Sequence, residues 1–76
     1  MYNLVEFTYY GSMYYMIVPD DVDEDITYRT NTSRPTWEII DTPNLAAKIR
    51  KECITIFPSV ASVQEAKDIL QLMQLM

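Results

Sequence analysis

The chain has 76 residues, of which 49% are hydrophobic, and a formal net charge of −5. It is long enough for one domain only, and a domain this small buries about 60–65% of the surface that its unfolded chain exposes. With no histidine and a single cysteine, the chain excludes an internal disulfide, a Cys/His zinc site and any Ser/His or Cys/His catalytic arrangement. We therefore expect a binding protein without a cofactor rather than an enzyme.

The charge is unevenly placed along the sequence. Residues 1–41 carry eight acidic and two basic side chains, a net charge of −6, whereas residues 42–76 carry three acidic and four basic side chains, a net charge of +1. Direct binding to nucleic acid needs a basic stripe and is therefore disfavoured. The negative half favours a protein partner with a basic surface, because opposite charges accelerate the encounter.

Targeting signals are not visible in the sequence. The longest unbroken apolar run, Met13–Val18, is too short to cross a bilayer, and the N-terminus lacks the basic region of a signal peptide. We therefore expect no membrane partner and a cytoplasmic protein, which would occupy the host cytoplasm if it is encoded by a virus.

Two runs rich in tyrosine and β-branched residues predict an N-terminal β-hairpin. Tyr2–Tyr10 and Met13–Val18 flank Gly11-Ser12, and glycine at the first position of a two-residue loop suits a type II′ turn. That turn would place Tyr10 opposite Met13. One face of the hairpin is then the core candidate: Val5, Phe7, Tyr9, Tyr14, Met16 and Val18. The other face is mixed: Leu4, Glu6, Thr8, Tyr10, Met13, Tyr15 and Ile17.

The elements after the hairpin are less regular. The alternation in Ile26–Thr30 predicts a third strand, and Asn31–Pro35 has the composition of a loop. Trp37–Ile40 fits either a strand or a short helical turn.

Two helices are predicted in the C-terminal half. The pair Thr42-Pro43 is typical of a helix start, and that helix would run to about Ile54 before Pro58. Its expected buried stripe contains Leu45, Ile49, Cys53 and Ile56. We therefore expect the Cys53 thiol to be buried and slow to react. The second helix is expected to span Val63–Leu75, with the capping box Ser62–Glu65 at its start, and to be apolar over about half of its circumference.

These elements predict an α+β fold in a single domain covering residues 1–76. A small antiparallel sheet, made of the hairpin and a third strand, would pack against the helices Pro43–Ile54 and Val63–Leu75 on one face. The hairpin face that carries Tyr10, Met13 and Tyr15 would then stay partly open. Tyrosine and methionine are favoured at interface cores, so these residues are either partner contacts or packed beneath another element.

Five carboxylates stand within six residues after the hairpin: Asp20, Asp21, Asp23, Glu24 and Asp25. Three of them match the first three ligand positions of a calcium loop, but Ile26 replaces the glycine of its sharp turn and Thr32 replaces its bidentate glutamate. We therefore expect no metal here. The run is either a solvated loop or a contact surface for a basic partner. The basic residues are expected to be ordinary solvating charges: Arg29, Arg34, Lys48, Arg50 and Lys51.

Very short, acidic, histidine-free chains are common among phage-encoded inhibitors of host enzymes and host defence, including anti-CRISPR proteins, and this chain resembles them in type. The resemblance covers no motif and transfers no residue. Our leading interpretation is a protein-binding inhibitor of a nucleic-acid-handling protein, acting by surface occlusion through Asp20–Asp25, Tyr10, Met13 and Tyr15. One alternative is an assembly subunit that homodimerises through the C-terminal helix. The other is a small enzyme or metal-binding protein, which the composition disfavours.

Overall fold

The computed structural model describes residues 1–30 and 36–74. Over these ranges the elements are β1 (Tyr2–Tyr9), β2 (Ser12–Pro19), β3 (Ile26–Thr30), β4 (Glu38–Ile40), α1 (Pro43–Glu52), β5 (Ile54–Val60) and α2 (Val63–Gln74). The strands form one antiparallel sheet in the order β4-β3-β2-β1-β5. The predicted α+β class is confirmed. The predicted loop Asn31–Pro35 and the predicted helix end at Leu75 lie outside the described residues.

The turn between β1 and β2 lies one residue earlier than predicted. It consists of Tyr10 and Gly11, whose φ angles are 49° and 80°. Positive φ at both central residues is the requirement of a type I′ turn rather than the expected type II′. Tyr9 therefore pairs with Ser12, where Tyr14 was expected. Moving the turn by one residue shifts the pairing between the two strands by two residues. Because two is an even number, each predicted hairpin face keeps its members.

The two helices pack on opposite faces of the sheet, so the prediction that both cover one face is wrong. Ile49 of α1 packs against a cluster on one face: Val5, Phe7, Met16, Val18, Ile26 and Ile40. Ala66 and Leu70 of α2 pack against the other face: Leu4, Ile17 and Val60. Consecutive strand residues point to opposite faces, and the neighbours Leu4 and Val5 are only 0% and 1% exposed. Both faces therefore require a cover.

The fifth strand, β5, was not predicted from the sequence. The helix expected to reach Ile54 ends at Glu52, and Cys53 follows it with extended backbone angles. Pro58 is compatible with a strand here because β5 lies at the edge of the sheet, where a missing backbone amide leaves no gap in a ladder. Ser59 has a φ of 58°, and the pairing of β5 with β1 is irregular.

The remaining local predictions have mixed outcomes. The ambiguous segment Trp37–Ile40 contains the short strand β4. The Ser62 hydroxyl oxygen accepts a hydrogen bond of 3.1 Å from the Glu65 amide, which is the serine half of the expected capping box. Cys53 is partly rather than fully buried. It packs against the cluster beneath α1, and burial raises the pKa of its thiol.

None of the helices in the described ranges is both long enough and apolar enough to span a membrane.

We expect the replacement Gly11→Ala to lower the free energy of unfolding by about 1 kcal/mol, measured by chemical denaturation. A β-carbon at Gly11 would meet no atom within 4 Å, so the cost comes from the positive φ alone. Gly11→Asn is the matched control and should cost less, because asparagine adopts left-handed backbone angles more readily than alanine does. Equal losses in the two variants would contradict this account.

Candidate functional site

The acidic loop, Asp20–Asp25, connects β2 to β3, and each of its residues is exposed. Arg50 of α1 anchors this loop from the side of the sheet that α1 covers. Its Nη1 donates to the Pro19 carbonyl oxygen. Its Nη2 donates to the carbonyl oxygens of Asp21 and Glu24, at 3.2 and 3.4 Å. One guanidinium therefore joins the last carbonyl group of β2 to two carbonyl groups of the loop.

Residues of β1 and the chain terminus anchor the acidic loop at further points. Asn3 donates from Nδ2 to Asp20 Oδ1 at 2.9 Å, and the N-terminal ammonium lies 3.8 Å from Asp20 Oδ2. Interaction with the Glu24 side chain, through hydrogen bonding and charge and with a smaller effect of burial, raises the pKa of Tyr2. Within the loop, Asp21 Oδ1 accepts a hydrogen bond of 2.9 Å from the Asp23 amide.

The carboxylates of the acidic loop keep most of their charge uncompensated. Arg50 donates to main-chain carbonyl oxygens, so it shapes the loop without forming an ion pair with its carboxylates. Across residues 1–30 and 36–74, the one ion pair within 4.0 Å joins the N-terminus to Asp20. The loop therefore presents a concentrated negative surface to a partner.

A cavity of about 340 Å³, here called the tyrosine pocket, opens between the sheet and the start of α1. Its walls include the rings of Phe7, Tyr9, Tyr14 and Tyr28, together with Leu45. The Phe7 and Tyr9 rings are stacked with centroids 6.1 Å apart. The Tyr14 and Tyr28 rings meet edge to face at 5.9 Å. The pocket is therefore built from two aromatic pairs.

Two carboxylates complete the lining of the tyrosine pocket, Glu38 and Asp41. The Tyr28 hydroxyl donates to Glu38 Oε2 at 2.7 Å, and this hydrogen bond is the main cause of the raised pKa of Tyr28. A second cavity of about 150 Å³ shares Asp41 and Thr42 with the pocket and is also lined by residues 23–25 of the acidic loop. The pocket and the acidic loop therefore adjoin along the start of α1.

The three apolar residues predicted to bind a partner do not lie together. Tyr10 is in the turn, 91% exposed, and its ring lies 4.4 Å from that of Tyr9. Met13 and Tyr15 are half-buried on the face that α2 covers, where Tyr15 packs against the Leu4 cluster. The expected open face is therefore partly covered, and Tyr10 alone of the three is highly exposed.

Two arginines expected to be solvating charges have structural contacts instead. Arg29 is only 7% exposed, and its guanidinium carbon lies 5.9 Å from the ring centroid of Tyr15 and 5.8 Å from that of Trp37. Lys67 Nζ lies 5.4 Å from the Trp37 ring centroid. Cations over aromatic faces are attracted by the ring quadrupole. Arg50 is the anchor of the acidic loop, and Arg34 lies outside the described residues.

The role of Arg50 and the pairing of Tyr28 with Glu38 were not predicted from the sequence. Tyr9 and Tyr14 were placed on the correct hairpin face, but as core residues rather than as walls of a pocket. The alternation of Ile26–Thr30 was the available signal for Tyr28. No local pattern connects Arg50 to a loop 25 to 30 positions earlier.

No protein-family model matches this sequence, and neither a curated protein nor a solved structure matches it. In the described part of the chain, no group of three or more acidic or cysteine side chains is arranged to hold a metal ion.

We expect Arg50→Lys to destabilise the acidic loop although it preserves the charge. A lysine ammonium lacks the planar fork that reaches three carbonyl oxygens, so the free energy of unfolding should fall by about 1 kcal/mol. The amides of the loop should exchange faster with solvent, measured by hydrogen-exchange NMR. The adjacent exposed replacement Lys51→Arg is the control and should leave both quantities unchanged. Unaltered exchange in Arg50→Lys would refute the anchoring role.

Proposed function

We propose that this chain is a non-catalytic protein-binding module that recognises a partner with a basic surface through the acidic loop. The observation that supports the proposal is that the main chain of Asp20–Asp25 is anchored while its side chains remain able to contact a partner. Arg50 holds the main chain through carbonyl oxygens, while the carboxylates remain exposed. A loop fixed in this way loses less conformational entropy on binding than a free segment of the same charge.

The concentrated charge acts first on the rate of association. Exposed charges of one sign steer an oppositely charged partner toward the correct surface and raise the association rate. This contribution depends on the ionic strength, because the Debye length is about 10 Å at 0.1 M salt. Desolvation of the carboxylates opposes binding, so the loop contributes more to speed and orientation than to final affinity.

The class of partner we propose is a nucleic-acid-handling protein whose activity this chain inhibits by surface occlusion. Such proteins carry basic surfaces that neutralise closely spaced phosphates. Five carboxylates in six residues approximate that charge density without its covalent structure. The short, acidic, histidine-free composition supports an inhibitor of phage type, directed against host defence or host enzymes in the host cytoplasm.

A second candidate function is an assembly subunit that homodimerises through α2. Its support is the exposure of two apolar side chains near the end of that helix, Leu72 at 65% and Met73 at 41%. Apolar residues that are exposed together favour a contact with another protein surface.

Conversion of Asp20, Asp21, Asp23, Glu24 and Asp25 to their amides tests the first candidate. Association with the basic partner should slow by an order of magnitude or more at low salt, because steering is lost. The rates of the variant and the native chain should converge as salt rises, measured by stopped flow across a salt series. The partner itself is first identified by affinity capture from the native host and mass spectrometry.

The control for this measurement removes three negative charges that lie away from the loop. Glu52, Glu65 and Asp68 are exposed carboxylates on the two helices, and their amides should alter the rate much less. A native association rate in the loop variant at every salt concentration would refute steering by the acidic loop.

The second candidate predicts a dimer at micromolar concentration with little dependence on salt. Leu72→Glu should dissociate it, because a charge would be buried in an apolar contact. Gln71→Glu adds the same charge at an adjacent exposed position and should have a smaller effect. A clean monomer of the native chain in sedimentation equilibrium across the micromolar range would exclude this candidate.

A further inference from the structure

The tyrosine pocket combines aromatic walls with negative charge. Two pairs of rings line it. Among the described residues of its lining, Glu38 and Asp41 are the charged ones, and none is lysine or arginine. Tyrosine rings present electron-rich faces that attract cations. Two carboxylates beside electron-rich rings favour a positively charged ligand over a neutral one.

We propose that the tyrosine pocket binds an arginine side chain of the basic partner. A guanidinium is planar, so it stacks on aromatic rings, and it presents several N–H donors in a fork that matches a carboxylate. Glu38 already accepts one hydrogen bond from Tyr28. A carboxylate has about four acceptor positions, so Glu38 retains the capacity to accept from a guanidinium while Tyr28 holds it in place.

The surroundings of the pocket favour a cation over an anion. The start of α1 carries the partial positive charge of a helix N-terminus, and Asp41 stands immediately before the cap residue Thr42 and offsets it. The adjoining cavity of about 150 Å³ brings residues 23–25 of the acidic loop to the same side of α1. Arg50 also lines that cavity, and Lys48 lines another cavity that shares Tyr9, Thr42 and Leu45 with the pocket. The carboxylates of residues 23–25, Glu38 and Asp41 outnumber these two cations, so a positive side chain entering the pocket approaches through a net negative field.

This inference rests on the proposed function, because it takes the arginine to come from the basic partner. The acidic loop and the pocket then act as two contacts on one surface. The loop attracts basic side chains without selecting among them, whereas the pocket distinguishes arginine by its shape. Two such contacts fix the orientation of the partner better than charge alone.

The test uses two small probes, N-acetyl-arginine amide and N-acetyl-citrulline amide, titrated into the full chain and followed by NMR. Citrulline has nearly the same shape as arginine but no charge. We expect the arginine probe to shift resonances of Tyr14, Tyr28 and Leu45 and to bind roughly fivefold or more tightly than the citrulline probe. Equal binding of the two probes, or shifts confined to other residues, would overturn the proposal.

Variants of the pocket separate charge from ring contacts. Glu38→Gln should weaken arginine binding roughly fivefold, whereas Glu52→Gln, an exposed carboxylate outside the pocket lining, should leave it unchanged. Tyr14→Phe should retain binding and Tyr14→Leu should lose it, because the ring supplies the contact. If Tyr14→Leu also lowers the melting temperature, the Glu38→Gln variant and the citrulline comparison still decide the matter.

The acidic-loop amide variant distinguishes this proposal from the proposed function. With the pocket intact, that variant should still prefer the arginine probe to the citrulline probe although its association with the partner is slow. If the native chain shows no preference for the arginine probe while its association with the partner still depends on salt, the pocket proposal is refuted and the proposed function is not. Preference for arginine without any salt-dependent association would support the pocket and refute the steering role of the loop.

Discussion

The whole arrangement depends on burial of both faces of the central hairpin. In β1 the neighbours Leu4 and Val5 are buried on opposite faces, and in β2 the neighbours Ile17 and Val18 are buried in the same way. A strand pair that is apolar on both sides requires a cover on each side, and a chain of 76 residues has few residues left to supply two covers. One helix per face is the solution adopted here, with β5 crossing between them.

This division between the faces also positions the acidic loop. The loop leaves the end of β2, next to the start of β1, so residues from both sides of the sheet can reach it. Arg50 reaches it from α1 on one side, and Tyr2, which packs with the α2 cluster, reaches it on the other. Bonds to carbonyl oxygens stabilise the loop without an ion pair between Arg50 and its carboxylates. The single positive charge of Arg50 offsets only part of the charge of five carboxylates.

The aromatic residues serve different purposes on the two faces. Beneath α2, the rings of Tyr15 and Trp37 accompany the nearly buried cation of Arg29 and belong to the packing of the domain. On the other face, the short helix α1 leaves part of the sheet uncovered, and Tyr9, Tyr14 and Tyr28 line a cavity there. Residues of one type thus support the fold on one face and form a candidate binding pocket on the other.

The local pattern of the chain determined the fold class, the hairpin with the membership of its two faces, the strand Ile26–Thr30 and the starts of both helices. These features depend on neighbours in sequence: alternation, a helix-starting proline at position 43 and a capping serine at position 62. The sequence also showed the acidic run itself, since charge density is a property of composition. The predicted position of the turn was wrong by one residue. Tyr10 adopts a positive φ beside Gly11, which tyrosine rarely does.

Only the tertiary structure decided which helix covers which face, the strand β5 and the environment of the acidic loop. From the local sequence, Pro58 predicts the end of a helix. It is tolerated within β5 because β5 lies at the edge of the sheet, a position that only the assembled sheet provides. The bonds from Arg50 to the loop join residues 26 to 31 positions apart. The pocket likewise needs four strands and a helix to bring its walls together. Contacts of this kind have no local signature, because they form only when distant segments pack against a shared sheet.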